Sequence, residues 1–139
     1  MAIVAPVFLL VLLALIEFSF MFFATLTMQS AVREGARYAV TGQKDLDPAA
    51  SSQQRTAAII QKMRTSSLGF YDTLSPKISV NGTSYSSNNY GNGMFGTAGS
   101  IVVLQVDCDW VVTTPLLSSF FKDGKYHFAV NATMRNEFF

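Results

Sequence analysis

The chain has 139 residues, of which 50% are apolar and only 14% charged, against roughly 25% charged in ordinary soluble proteins. That leaves room for one small domain beside a greasy segment, and the formal net charge of +1 supports neither nucleic-acid attraction nor a polybasic membrane contact. The single cysteine, Cys108, excludes an intramolecular disulfide, and with one histidine, His127, a His/Cys metal cluster is excluded too.

The first element is the apolar run. MAIVAPVFLLVLLALI is followed by Glu17 and then by FSFMFFATLTM, with no basic side chain before Arg33. A helix that is apolar on every face cannot be the outer helix of a soluble domain; lipid or copies of itself must surround it. As one helix, residues 1–32 would reach roughly 48 Å at about 1.5 Å per residue, beyond a hydrocarbon thickness of about 30 Å. The run exceeds the apolar part of a secretory signal and has no basic region before it, so the segment is expected to be retained. Phe8, Leu9, Leu12, Leu13, Ile16, Phe20 and Phe23 are the expected helix-core packing residues. After Met28 the pattern turns amphipathic. Ala31, Gly35 and Ala39 form a small-residue ridge that lets another element approach closely, and Glu34 and Arg37 have ion-pair spacing. With Gly42 as a C-terminal cap, the expected helix runs from about residue 4 to about residue 41.

After the linker QKDLD, Asp47 as N-cap and Pro48 as first helical residue predict a second helix. Its apolar stripe is Ala57, Ile60 and Met63/Arg64, and it stops near Ser67–Gly69. The period then changes to alternation: Ile78 and Val80 share one face of a strand, and Asn81-Gly82 is a hairpin turn. The Gly, Asn and Ser-rich stretch 86–99 reads as a loop. In the next strand, over 100–113, Val102, Leu104, Val106, Cys108, Trp110 and Val112 share the buried face, with Gln105, Asp107 and Asp109 opposite. PLLSSFF reads as a short helical turn that packs its Leu and Phe side chains, and Asp123-Gly124 as a tight turn. The last strand, Tyr126 to Asn136, turns Tyr126, Phe128, Val130, Ala132 and Met134 inward. The expected fold is α+β: a long hydrophobic N-terminal helix running into a small antiparallel sheet head with a second short helix. Residues 1–41 form the helix and 42–139 the head, whose core includes Val106, Cys108, Trp110, Phe128 and Val130.

This layout resembles a type IV pilin or pseudopilin. AIVAPVFLLVLLALIEF at 2–18 and AVREGARYAV at 31–40 are similar to the N-terminal signature of TadE-like proteins of bacterial Tad (tight adherence) pilus systems. The closing VNATMRNE at 130–137 is similar to the end of that family's head. The resemblance implies a homopolymer or a pilus primer, an assembly machinery, a prepilin peptidase, residence in the inner membrane before assembly, and a cell-surface filament afterwards. In such proteins cleavage follows a glycine and a Glu stands at the fifth mature position; here position 5 is Ala5.

Glu17 requires a partner, because an ionised carboxylate in hydrocarbon is costly alone. In one reading it is protonated or bonded to hydroxyls of the Ser19 or Thr25 type on an adjacent helix. In the other it sets filament register by meeting Arg33, Arg37 or the Met1 amine of a neighbouring subunit, at an axial offset of roughly 24–30 Å.

Other chemistry is sparse. Cys108 reads as a buried structural thiol between two outward acids. His127 has no partner adjacent in sequence, and the sequons at Asn81 and Asn131 read as turn and strand. With no phosphate loop, acid/base pair or triad spacing, the expectation is a protein that is not an enzyme and needs no cofactor. Three roles fit: a filament subunit, a minor pseudopilin that primes or caps a Tad pilus, or a single-pass membrane-anchored protein with a small periplasmic head. Arg33, Arg37 and Lys44 beside the helix favour a cytoplasmic head by the positive-inside bias, whereas a pilin-type head faces outward.

Overall fold

A computed structural model of the chain describes residues 3–49 and 54–139. Helix α1, Val4–Val40, is unbroken over 37 residues, about 55 Å at about 1.5 Å per residue. Pro6 lies in its first turn, where no intrahelical partner for an N–H exists, so the ring causes no kink. At the other end Gly42, with φ +68°, donates to the Ala39 carbonyl at 3.2 Å. The left-handed turn requires glycine for a second reason as well: a Cβ would stand 2.4 Å from the Phe139 ring.

The remaining elements are helix α2, Arg55–Ser66; helix α3, Phe70–Leu74; strands β1, Lys77–Val80, and β2, Thr83–Tyr85; strand β3, Ile101–Val111; helix α4, Pro115–Ser118; and strand β4, Lys125–Arg135. The sheet is antiparallel in the order β2-β1-β3-β4. Its long pair runs from Ile101 opposite Arg135 to Val111 opposite Lys125. Asn81 and Gly82, at φ 50° and 82°, close the β1–β2 hairpin between Val80 and Thr83, the two-residue turn that matches strand twist. The fold is the α+β arrangement read from the sequence, a long apolar helix followed by a four-stranded head.

The core lies between the second half of α1, helix α2 and one face of the sheet. Met28, Val32, Ala36 and Ala39 meet Ile59, Ile60 and Met63, and below them Ile78, Val80, Val102, Leu104, Val106, Cys108, Val130 and Met134. Gly35 is the point of closest approach between the two helices, since a Cβ there would lie 2.3 Å from Met63 Cγ.

Several local expectations differ from what is observed. Asp47 and Pro48 do not begin the second helix, which starts at Arg55 with Gln54 as its cap residue. Asp47 instead reaches across the intervening chain, its carboxylate accepting the N–H groups of Ala49 at 3.0 Å and Gln54 at 2.6 Å; residues 50–53 of the expected helix lie outside the described residues. The buried stripe of α2 is Thr56, Ile59, Ile60 and Met63 together with Ala58, while Ala57 is half-buried and Arg64 exposed. Helix α3 was not expected, and the loop after the hairpin is anchored by buried Met94 and Phe95. The Pro-led turn forms as α4, but Leu116 and Phe120 point outward, because the turn sits past the last β3 residue, beyond the end of the core.

Candidate functional site

The feature most unlike a soluble protein is the surface of α1. Phe8, Leu9, Leu12, Leu13, Ile16, Phe20 and Phe23 are all between 42% and 66% exposed. The helix is long and apolar enough to cross a membrane, with a mean hydropathy of 2.6 in its best window. Before Glu17 no described residue of α1 is buried; from Glu17 onward the head covers one side. The helix is therefore bare at its N-terminal end, half-sheathed in the middle and integrated into the core at its C-terminal end.

Glu17 marks the lower edge of the sheath. Its carboxylate accepts the backbone N–H of Thr113 at 2.5 Å and of Thr114 at 2.8 Å, and the residue is 8% exposed. The donors are the last links between β3 and α4, so a side chain on the apolar helix fastens the end of the sheet. Within α1 itself Ser19 donates to the Leu15 carbonyl and Thr25 to that of Met21. Arg33 lies on the exposed surface about 24 Å farther along the axis, and Arg37 is drawn to Glu34 at 3.6 Å, which Lys62 approaches at 4.0 Å. Met1 lies outside the described residues. Any pairing of Glu17 with a neighbour's cation would share a carboxylate that already accepts two backbone N–H groups within the chain.

Just above Glu17 an aromatic series continues the attachment. Phe23 meets Phe70 edge-on at 5.7 Å between ring centroids, and Phe70 lies 6.2 Å from Trp110. The small ridge Ala31, Gly35 and Ala39 is buried inside the molecule, with Gly35 against Met63 of α2. Of the head residues singled out, Val106, Cys108 and Val130 are buried, while Trp110 and Phe128 pack against the core from its border. Burial pushes the Cys108 thiol up to about 12, so it is a neutral core group, not a nucleophile. His127 does have a partner: Nδ1 stands 2.5 Å from Asp109 Oδ1, its opposite number across the β3–β4 pair. Sequence adjacency could not show this because strand register brings the two together. Both are solvent-facing, and among the described residues no group of three or more potential metal ligands forms.

Residues 1–37 match the family model described as TadE-like protein. The match, confined to the first 37 residues, is to the family that the AVREGARYAV stretch resembles, and it falls on α1, including the bare N-terminal part of that helix. The closing VNATMRNE lies outside the TadE-like match. Neither the curated proteins nor the solved structures contain a match to the chain.

One group of structural residues went unread in the sequence. The Arg55 guanidinium donates to the carbonyls of Ala39 at 2.7 Å and Gly96 at 2.6 Å, and to Asn136 Oδ1 at 2.9 Å. Asn136 in turn donates from Nδ2 to the Phe95 and Thr97 carbonyls, each at 2.9 Å. These two side chains join the C-terminus of α1, the Gly/Asn-rich loop and the end of β4. The MRNE ending was the visible signal for Asn136; nothing near Arg55 in sequence marked it.

Proposed function

We propose that the chain is a structural subunit of an extracellular, Tad pilus-like filament, held in the bacterial inner membrane by α1 before assembly and polymerising through that helix. The observation that carries the proposal is that the TadE-like match coincides with a helix whose N-terminal half has no cover of its own. In the filament the bare surfaces of Phe8, Leu9, Leu12, Leu13, Ile16 and Phe20 pack on copies of themselves, and the heads form the outer wall. Burial of apolar surface at about 25 cal/mol per Å² then holds the fibre together against water. Lipid has already provided that gain to the monomer, so extraction requires work from an assembly machinery, and the resemblance adds a prepilin peptidase as a second partner. The role is architectural rather than catalytic.

The test is shear fractionation of cells that express the chain, followed by negative-stain imaging. A major subunit dominates the sheared fibres. A minor pseudopilin that primes or caps the fibre is present there only in trace and its loss abolishes fibres made of another protein. Retention of the whole pool in the detergent-soluble membrane fraction, with fibres unaffected by its deletion, refutes the filament reading and leaves a membrane-anchored head.

A further inference from the structure

The apolar surface of α1 does not stop where the head begins. Past Glu17, the side chains of Phe18, Phe20, Phe22, Phe23 and Leu26 remain exposed, while Met21, Ala24 and Met28 on the other side are buried. No charge interrupts that exposed face before Arg33. From Glu17 to Leu26 is about 14 Å along the axis at about 1.5 Å per residue. A bilayer that covers this face therefore extends past the level at which Thr113 and Thr114 bond to Glu17. Helix α4 begins at that level, and the residues exposed around it include the apolar Val111, Leu116 and Phe120, the last 80% exposed, beside Thr113 and Ser119. Next to them, at the same end of the sheet, stand exposed Lys122 and Lys125 with Asp123 between them.

We propose that the segment Val111–Lys125 is a second membrane-contacting element, lying in the head-side boundary of the bilayer beside α1. Leu116 and Phe120 enter the acyl region, and Lys122 and Lys125 extend to lipid phosphates. Apolar side chains such as Phe and Leu beside long cationic ones are the composition of an interfacial anchor. Continuity favours lipid as the occupant: the exposed apolar tip starts directly after the Thr113 and Thr114 amides that bond Glu17, and the exposed apolar flank of α1 runs past that same level. The carboxylate fits the same arrangement. Hydrocarbon offers it no donors, and the head supplies two by bringing the Thr113 and Thr114 amides down to its depth. With contacts at both α1 and this tip, the head sits on the membrane at a fixed tilt and rotation instead of swivelling on one helix. The proposal requires α1 to lie in a bilayer and does not depend on polymerisation.

The experiment uses the full chain in vesicles of phosphatidylcholine and phosphatidylglycerol, with a nitroxide attached at Leu116→Cys, Phe120→Cys or, as control at the opposite end of the sheet, Thr97→Cys. Native Cys108 is 1% exposed and stays unlabelled; the chain without an added cysteine is the blank. The ratio of relaxation by oxygen to relaxation by a water-soluble nickel chelate should be several-fold higher at positions 116 and 120 than at 97. Replacing both lysines, Lys122→Glu with Lys125→Glu, should lower the ratio at 120 toward that at 97. Equal ratios at 116, 120 and 97 would put the tip in water and overturn the proposal. Exclusion of both relaxants with dipolar broadening between labels would overturn it in favour of a second copy of the chain.

Discussion

Substituting Glu17 by Ala isolates the link between the apolar helix and its head. The wild-type carboxylate receives two backbone N–H donors, from Thr113 and Thr114, and hydrogen bonds to a charged partner contribute roughly 1.5–3 kcal/mol each. Both donors lie on partly solvated chain, so the freed amides regain some water and the loss falls to the low end of that sum or below it, about 2–4 kcal/mol. At about 1.4 kcal/mol per factor of ten, local opening of the β3–α4 junction should become roughly 30- to 700-fold more frequent. Amide hydrogen exchange on the full chain in detergent micelles reads this directly. Protection at Thr113 and Thr114 should fall by that factor, while Val106 and Val130 in the middle of the sheet keep theirs. Glu17→Gln, which keeps one acceptor oxygen, should fall between the two. Unchanged protection at the junction in Glu17→Ala would refute the reasoning, and so would an equal loss throughout the sheet.

Three further perturbations test the head. Gly35→Val places a branched side chain where Met63 Cγ already lies 2.3 Å from the point a Cβ would occupy, and overpacking of this kind costs about 1–3 kcal/mol; the melting temperature should drop, and Met63→Ala in the same chain should recover part of it. Arg55→Met removes donors to Ala39, Gly96 and Asn136, at about 2–4 kcal/mol. Proteolysis in the 86–99 loop should accelerate, and Arg55→Lys should not restore resistance, since an ammonium cannot span the same acceptors. Cys108 titrates near 9.0 when unfolded and is pushed up to about 12 in the fold. Its contribution is therefore complete below pH 9 and is lost as pH rises from there toward 12. Chemical denaturation across that range should show a steeper decline in the native chain than in Cys108→Ala; parallel curves would refute it.

Much of the fold was legible because the relevant signals are local. Alternation of Val102, Leu104, Val106 and Cys108 against Gln105 and Asp107 can only be a half-buried strand, and the Asn81-Gly82 pair fixes the separate β1–β2 hairpin through backbone sterics alone. The long apolar helix and its end at Gly42 are equally local. Where expectation and structure parted, distance in sequence was the cause. The Asp47-Pro48 signal resembles a helix start, but its carboxylate accepts the N–H of Gln54, seven residues on. His127 finds Asp109 only through strand register, and Arg55 finds Asn136 only because three chain segments converge.

The sequence by itself determined that this protein has a helix no soluble surface can accommodate, and that a small sheet follows it, since apolar periodicity and turn chemistry act over a few neighbouring residues. Only the tertiary structure decided what Glu17 does. A carboxylate's partner is set by which backbone amides arrive beside it, and those amides belong to residues 96 and 97 positions farther along the chain. The same convergence decided which part of the apolar helix is sheathed by the head and which part is left for a membrane or a neighbour to cover.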